Sequence, residues 1–305
     1  FMLENLTKPV LLTGSQLPIG QLRTDGKENL VTSIELASAC DEDGHPMVPE
    51  VCIYFSGKLI RGNRSTKENA DGFNAFNSFN YPLLCDAGIE FNFHPHYILK
   101  PDYSRPMIPH TALDPNVVVF SLFPGIQQNV VRHFLDVPDL RGIVLRSYGS
   151  GNAPQKPWLI QLLKEATMRG VTIVNISQCV AGSVKMGRYE ASFHLKEAGV
   201  VSGYDSTVES AVTKLMFLQA KYKDCHTIRS LMDRSICGEI TNGFSSHLRN
   251  LKFGHCDLEH RVVTMLFLYN VHQFADNLRM HSCQIVVLVY VVGEIVEAWL
   301  SLHHH

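Results

Sequence analysis

Residues 142–176 read GIVLRSYGSGNAPQKPWLIQLLKEATMRGVTIVNI. The run from Gly142 to Arg146 is continuously apolar until its final arginine, as a strand buried on both faces requires. A tight loop follows over Gly149 to Pro154. Pro157 then opens a helix at its first turn, where its missing N–H costs nothing, and Gly170 closes it. Val171 to Ile176 is a second buried strand. Strand, helix and strand within 35 residues make a βαβ unit, whose two strands lie parallel in one sheet.

The same alternation extends outward. Toward the N-terminus lie strands at Pro9 to Thr13, Val51 to Phe55 and Val117 to Leu122, and helices at Glu28 to Ala39 (with Asp25 as its cap) and Gln127 to Leu135. Toward the C-terminus, Ser206-Thr207-Val208-Glu209 reads as a capping box. It opens a helix with Val208, Ala211, Val212, Leu215, Met216 and Tyr222 on one face. The fold class is α/β. Residues 99–116 hold Pro101, Pro106, Pro109 and Pro115 and read as a linker. This gives a first domain at 1–98 and a second at 117–244.

Both ends depart from this pattern. Phe1 to Leu6 reads as the end of a helix running into a strand, so the sequence is expected to be a fragment of a longer chain, with its first domain incomplete. All 14 prolines precede Ser245, whereas eight of the 15 histidines follow it: His247, His255, His260, His272, His281, His303, His304 and His305. Residues 245–305 are therefore expected to be an atypical tail foreign to the fold. Its apolar runs, Val262 to Tyr269 and Ile285 to Val292, fall short of the roughly 18 residues a membrane span needs.

Composition excludes several classes. Lys+Arg is 27 against Asp+Glu 29, a net charge of −2, with no basic stripe; this argues against a nucleic-acid partner. An apolar fraction of 45% argues against disorder. Eight scattered cysteines without a CxxC pair point to reduced thiols in a cytoplasm rather than to zinc or disulfides. From its opening residues no signal peptide is expected, and the sequence holds no GxSxG, P-loop or GxGxxG motif.

Parallel sheets bind ligands beyond the carboxyl ends of their strands, and three polar segments sit there. Thr13-Gly14-Ser15-Gln16-Leu17-Pro18 offers backbone approach at Gly14 and hydrogen-bonding groups at Ser15 and Gln16, although a tight turn explains it as well. Arg61-Gly62-Asn63-Arg64-Ser65-Thr66-Lys67 is either a solvated basic loop or the source of a lysine that relays protons when drawn into a cleft. Arg146-Ser147-Tyr148-Gly149-Ser150-Gly151-Asn152 offers a guanidinium fork and an amide, or is simply a Gly-rich connection. Cys179 follows a strand and is as readily a small hydrophobe as a nucleophile. Spacing alone yields no reaction.

The ordered set Met2-Leu3-Glu4-Asn5-Leu6, Thr13-Gly14-Ser15-Gln16, Leu22-Arg23-Thr24-Asp25-Gly26, Arg61 to Lys67, Ala70-Asp71-Gly72-Phe73, Leu145 to Gln155, Gln178-Cys179 and Thr213-Lys214-Leu215 resembles the type I, cytoplasmic-type L-asparaginases, collinearly from about residue 2 to 243. The resemblance implies a two-domain asparaginase-like fold with parallel-sheet domains. It also implies hydrolysis of L-asparagine to aspartate and ammonia, without metal or organic cofactor and without a membrane or nucleic-acid partner, by a homodimer or homotetramer. In that family a threonine attacks the side-chain amide and water cleaves the acyl-enzyme. Lys67 matches the lysine of a threonine–aspartate–lysine proton relay. Ser15 matches a residue contacting the substrate amide, and Asn152 an asparagine that reaches a neighbouring protomer's site. Thr66, Arg146, Asn152 and Cys179 match positions lining an effector site for asparagine.

The chain contains neither the family's Thr-Gly-Gly-Thr, which carries the nucleophile, nor its Gly-Thr-Asp-Thr, which carries the second threonine and the aspartate. In the family both lie ahead of the point matching Phe1. The expectation for the polypeptide as written is an asparaginase sequence that is itself inactive. The alternatives are a catalytically dead asparagine-binding or oligomerising remnant and an amidohydrolase acting on glutamine or on aminoacylated tRNA. The last would favour a basic surface that the charges do not provide.

Overall fold

In the computed structural model, which describes residues 1–186 and 190–241 together with the backbone of Val286–Val289, Leu3–Glu4 is a strand, β1, where the sequence suggests a helix end. It pairs antiparallel with Ile108–Pro109, numbered β9 in chain order. The proline-rich linker is thereby folded back on the N-terminal segment, and Asn5 fastens it further by donating to the carbonyls of Asp102 (2.9 Å) and Arg105 (2.8 Å).

The first sheet is built on β2 (Val10–Thr13), β3 (Val51–Phe55) and β4 (Lys58–Arg61). Helix α1 (Gly26–Ser38) crosses from β2 to β3, which run parallel. Ser56 and Gly57, both at positive φ, then turn the chain straight back into β4. A small hairpin, β5 (Thr66–Lys67) with β6 (Phe76–Asn77), projects from the sheet. β7 (Cys85–Ala87) and β8 (Phe91–Phe93) complete it antiparallel. The parallel reading thus holds for β2 and β3, while the sheet as a whole is mixed. Leu11, Leu36, Val48, Tyr54, Leu59 and Leu84 fill its core.

The second sheet is all parallel, in the order β10 (Val117–Ser121), β11 (Gly142–Ser147), β12 (Thr172–Ser177) and β13 (Val201–Ser202). Between the strands run α2 (Gln128–Leu135), α3 (Pro157–Met168) and α4 (Glu190–Glu197); α5 (Val208–Lys221) and α6 (Cys225–Met232) follow β13. One face buries Ile143, Leu145, Leu159, Leu163 and Ile173, and the other buries Val144, Val174, Ala211, Leu215 and Ile228. Burial on both faces explains the unbroken apolar runs at 142–145 and 171–174. Thr207 caps α5 by accepting from the Ser210 N–H. Glu209 does not close the expected box; its carboxylate accepts from Thr66 Oγ1 at 2.7 Å, across to the first domain.

Most of the sequence after residue 241, including Val262 to Tyr269 and the late histidines, lies outside the described residues. Val286–Val289 is strand β14, parallel to β2 at the edge of the first sheet. No described helix is long and apolar enough to cross a membrane.

Charges are buried where the two sheets meet. Arg61, 2% exposed, forks onto Glu50 through Nε–Oε2 (2.5 Å) and Nη2–Oε1 (3.0 Å). Arg64 Nη1 lies 2.9 Å from Asp205 Oδ2, and Lys214 Nζ lies 2.6 Å from Glu239 Oε1. Both arginines also donate to the carbonyl of Gly238 (3.3 and 2.7 Å), so residues 235–241 clasp the first domain to the second. Burial alone pushes the Glu239 carboxyl up. The Lys214 ammonium and the Cys237 N–H outweigh it and hold the group below its ordinary value. A carboxylate depressed in the folded state stabilises above its unfolded pKa, and that stability is lost as pH falls through the folded value. The urea-unfolding free energy is therefore expected to fall as pH drops below about 4.5, the ordinary carboxylate range, and to fall less steeply in Glu239→Gln. Equal acid slopes in both proteins would remove Glu239 from the account.

Candidate active site

The loop after β2 is shaped by one carboxylate. Asp25 stands just before α1, but its oxygens accept from the Gln16 and Leu17 N–H groups (3.0 and 3.1 Å) and from the Asn29 side chain (3.3 Å) rather than from the helix's first backbone N–H groups. Buried Asn29, one turn on, donates to the Gly14 carbonyl at 2.9 Å. These ties hold Ser15 half-buried at the carboxyl end of β2. Gln16 then reaches across. Its amide N–H groups donate to the carbonyls of Ala70 and Gly72 (both 2.9 Å), and its Oε1 accepts from Lys67 Nζ at 3.4 Å. The first two polar segments of the sequence are thus one structural unit, with Ser15 and Lys67 on either side of Gln16. Lys67 is exposed rather than drawn into a cleft, with Nζ 5.7 Å from the centre of the Phe76 ring.

The third segment lies at the carboxyl ends of β11 and β12. Tyr148 and Asn152 close a bridge around Gly149 to Gly151. Gly151, at φ +108°, fits where a Cβ would stand 2.7 Å from Val184. Gln178 Nε2 donates to the carbonyls of Leu122 (2.6 Å) and Arg146 (3.0 Å), and Ser177 Oγ donates to Gly149 (2.7 Å) while accepting from the Cys179 N–H (2.9 Å). Arg146, Asn152 and exposed Cys179 are therefore neighbours. Four side-chain atoms in this cluster are buried without a hydrogen-bond partner among the described residues: Arg146 Nε, Tyr148 Oη, Asn152 Oδ1 and Asn175 Oδ1. Such groups are costly unless something pairs with them. Thr66 is not joined to this cluster by a hydrogen bond among the described residues: it bonds Glu209, while a separate tie from the first domain, Asn80, donates to the Asp205 carbonyl (3.0 Å) and accepts from the Gly182 N–H (2.8 Å), three residues beyond Cys179.

The Asparaginase N-terminal family model matches residues 1–98, and the Glutaminase/Asparaginase C-terminal domain model matches residues 116–232. L-asparaginase 1 of Escherichia coli (strain K12) is 43% identical over 244 residues, which are 79% of this chain and 69% of that protein. The chain belongs to the asparaginase family. Among solved asparaginases, L-asparaginase I from Vibrio cholerae superposes with a TM-score of 0.72 at 40% identity, covering 79% of this chain and 70% of that one. The thermostable L-asparaginase from Thermococcus kodakarensis gives 0.70 at 35%, covering 80% and 71%. The human 60 kDa lysophospholipase is 40% identical over 242 residues, 79% of this chain but 41% of that protein.

Sequence reasoning alone does not find Glu209, Asn80 or the bridging role of Gln16 in this asparaginase. Each acts on a group more than 50 positions away; Gln16 stands in a strand-end segment and Glu209 in a capping sequence, but neither pattern names its distant partner, and Asn80 stands in no motif. One signal is in the sequence: Glu50 and Arg61 flank apolar strands, where a charge needs a partner.

Proposed function

We propose that the protein acts as an L-asparagine amidohydrolase, releasing aspartate and ammonia. Lys67 relays the proton for a threonine nucleophile, and Ser15 holds the substrate amide. The observation that carries this reading is the coupling of Ser15 and Lys67 through Gln16 at the carboxyl end of β2, in a chain 43% identical to an L-asparaginase. The negative charge that develops on the amide oxygen calls for a positioned donor, a role the half-buried Ser15 hydroxyl can fill. The relatives named for the activity favour an enzyme over an inert asparagine-binding remnant. Ammonia release is to be measured from the 305-residue polypeptide and from a chain in which the family's two threonine motifs precede Phe1. Turnover is expected from the second and none above background from the first; no turnover from the second rejects the reading.

The orphaned polar atoms around Arg146 and Asn152 support a further part of the proposal. Arg146, Asn152, Cys179 and Thr66 form an effector site for asparagine, and Asn152 serves a neighbouring protomer in a cytoplasmic homodimer or homotetramer. Arg146 is the partner for the effector carboxylate. In the motif-bearing enzyme, Arg146→Ala and Thr66→Ala are expected to turn sigmoidal dependence on asparagine hyperbolic while leaving turnover at saturation within about twofold. A wild type that is already hyperbolic would contradict the effector assignment.

A further inference from the structure

At the opposite end of the second sheet, where β11 and β12 begin, lies a cavity of about 360 Å³. Gly142 and Thr172 start those strands, five residues before their carboxyl-end partners Ser147 and Ser177. At about 3.3 Å per residue the cavity lies about 16 Å of strand away from the Arg146–Asn152 cluster. Thr172 and Gln219 line it, each only 1% exposed, and Thr172 Oγ1 and Gln219 Oε1 are both buried without a hydrogen-bond partner among the described residues. Three cations stand around them: Arg141, Arg169 and Lys223. Arg141 is committed to Asp114 and to the Gln219 carbonyl, and Arg169 donates through Nη2 to the Leu135 carbonyl at 2.9 Å and lies 3.6 Å from Asp136. Lys223 is exposed and makes no ion pair among the described residues. Asp224 is the acidic residue of the lining, and it spends its oxygens on the His226 and Thr227 N–H groups and the Thr227 hydroxyl.

We propose that this cavity is a second small-molecule site, which binds a hydroxylated carboxylate of glycerate's size or somewhat larger. The charge selects an anion, since Lys223 has no counter-charge among the described residues and Arg169 holds its own only loosely. The floor selects hydroxyls: a hydroxyl both donates and accepts, so it satisfies the Gln219 oxygen, which needs a donor, and the Thr172 oxygen, which takes either role. Leaving such buried oxygens unpaired is what a ligand without hydroxyls would do, and this separates the two ligand types. The volume falls in the range of small-molecule pockets.

The site contains its own reporter. Cys225 lines the cavity with a free, half-buried thiol, whereas Cys179 is exposed near the other end of the sheet. The full chain is alkylated with iodoacetamide, and the rate at each cysteine is read by peptide mass spectrometry with D-glycerate, propionate or inorganic phosphate present. Glycerate is expected to slow alkylation of Cys225 and not that of Cys179, at concentrations about tenfold below those at which propionate does. Lys223→Ala and Arg169→Gln are both expected to abolish the protection; both residues are at the surface, and neither belongs to the proposed catalytic site. Gln219→Leu removes one unpaired oxygen and is expected to bring glycerate down to the level of propionate. The inference is overturned if glycerate does not protect Cys225, if propionate protects equally, if phosphate protects better, or if protection survives the loss of Lys223 and Arg169.

Discussion

Lys67→Ala, in a chain carrying the family's two threonine motifs, is expected to lower kcat by about 10²- to 10⁴-fold, the usual contribution of positioned proton transfer. Asparagine affinity, measured directly, is expected to change by no more than about threefold, because a relay acts in the transition state. The side chain is exposed, and among the described residues its one polar contact is a long 3.4 Å bond to Gln16 Oε1. Its removal therefore breaks little structure, and the melting temperature is expected to hold. Lys67→Arg keeps the charge but cannot hand on a proton, because a guanidinium stays protonated in proteins. It is expected to stay inactive, and recovery by arginine would reduce Lys67 to an electrostatic anchor.

The second large effect is on stability. Lys214→Met is expected to cost about 3–5 kcal/mol, because it strands a carboxylate rather than because it deletes an attraction. Glu239 is fully buried, with Lys214 as its cation and the Ser235 hydroxyl and the Ile236 and Cys237 N–H groups donating to it as well. For a chain of this size that corresponds to a fall of about 6–20 °C in Tm. Adding Glu239→Leu to Lys214→Met is expected to restore much of the loss, since the pair's net worth is far below the cost of breaking it. A double variant no more stable than the single one would show that Glu239 acts through its bonds to residues 235–237 instead.

The second domain was the more legible. Its strands are sandwiched between helices, so each is an uninterrupted apolar run, and Pro157 and Gly170 mark the helix between two of them; β11 and α3 fall within a residue of their expected bounds. The first domain was less so. Met2-Leu3-Glu4-Asn5-Leu6 favours helix locally, and only its pairing with Ile108–Pro109 makes it a strand. The apolar residues of α5 predict its buried face, yet Lys214 and Gln219 are buried along the same helix. A pattern that assigns charges to solvent cannot see a lysine whose carboxylate lies 25 positions away. The same limit hid most of the clasp. Arg61 and Arg64 read as a basic loop, and their acceptor at Gly238 is not a side chain at all. At the site, the sequence located the loops but not what joins them, because Gln16 works through main-chain carbonyls that any residue would supply.

The clasp at Gly238 has a consequence for how this protein tolerates change. Two guanidinium groups converge on one main-chain oxygen, at a residue with φ +81° where a Cβ would stand 2.4 Å from Arg61 Nη1. What the two halves recognise in each other there is a spacing rather than a chemical type. Inserting or deleting one residue between Met232 and Gly238 would carry the oxygen out of reach of both arginines, however conservative the inserted side chain. Homologous segments spliced into this region are thus interchangeable only when their lengths agree, and the join behaves as a ruler laid between the domains.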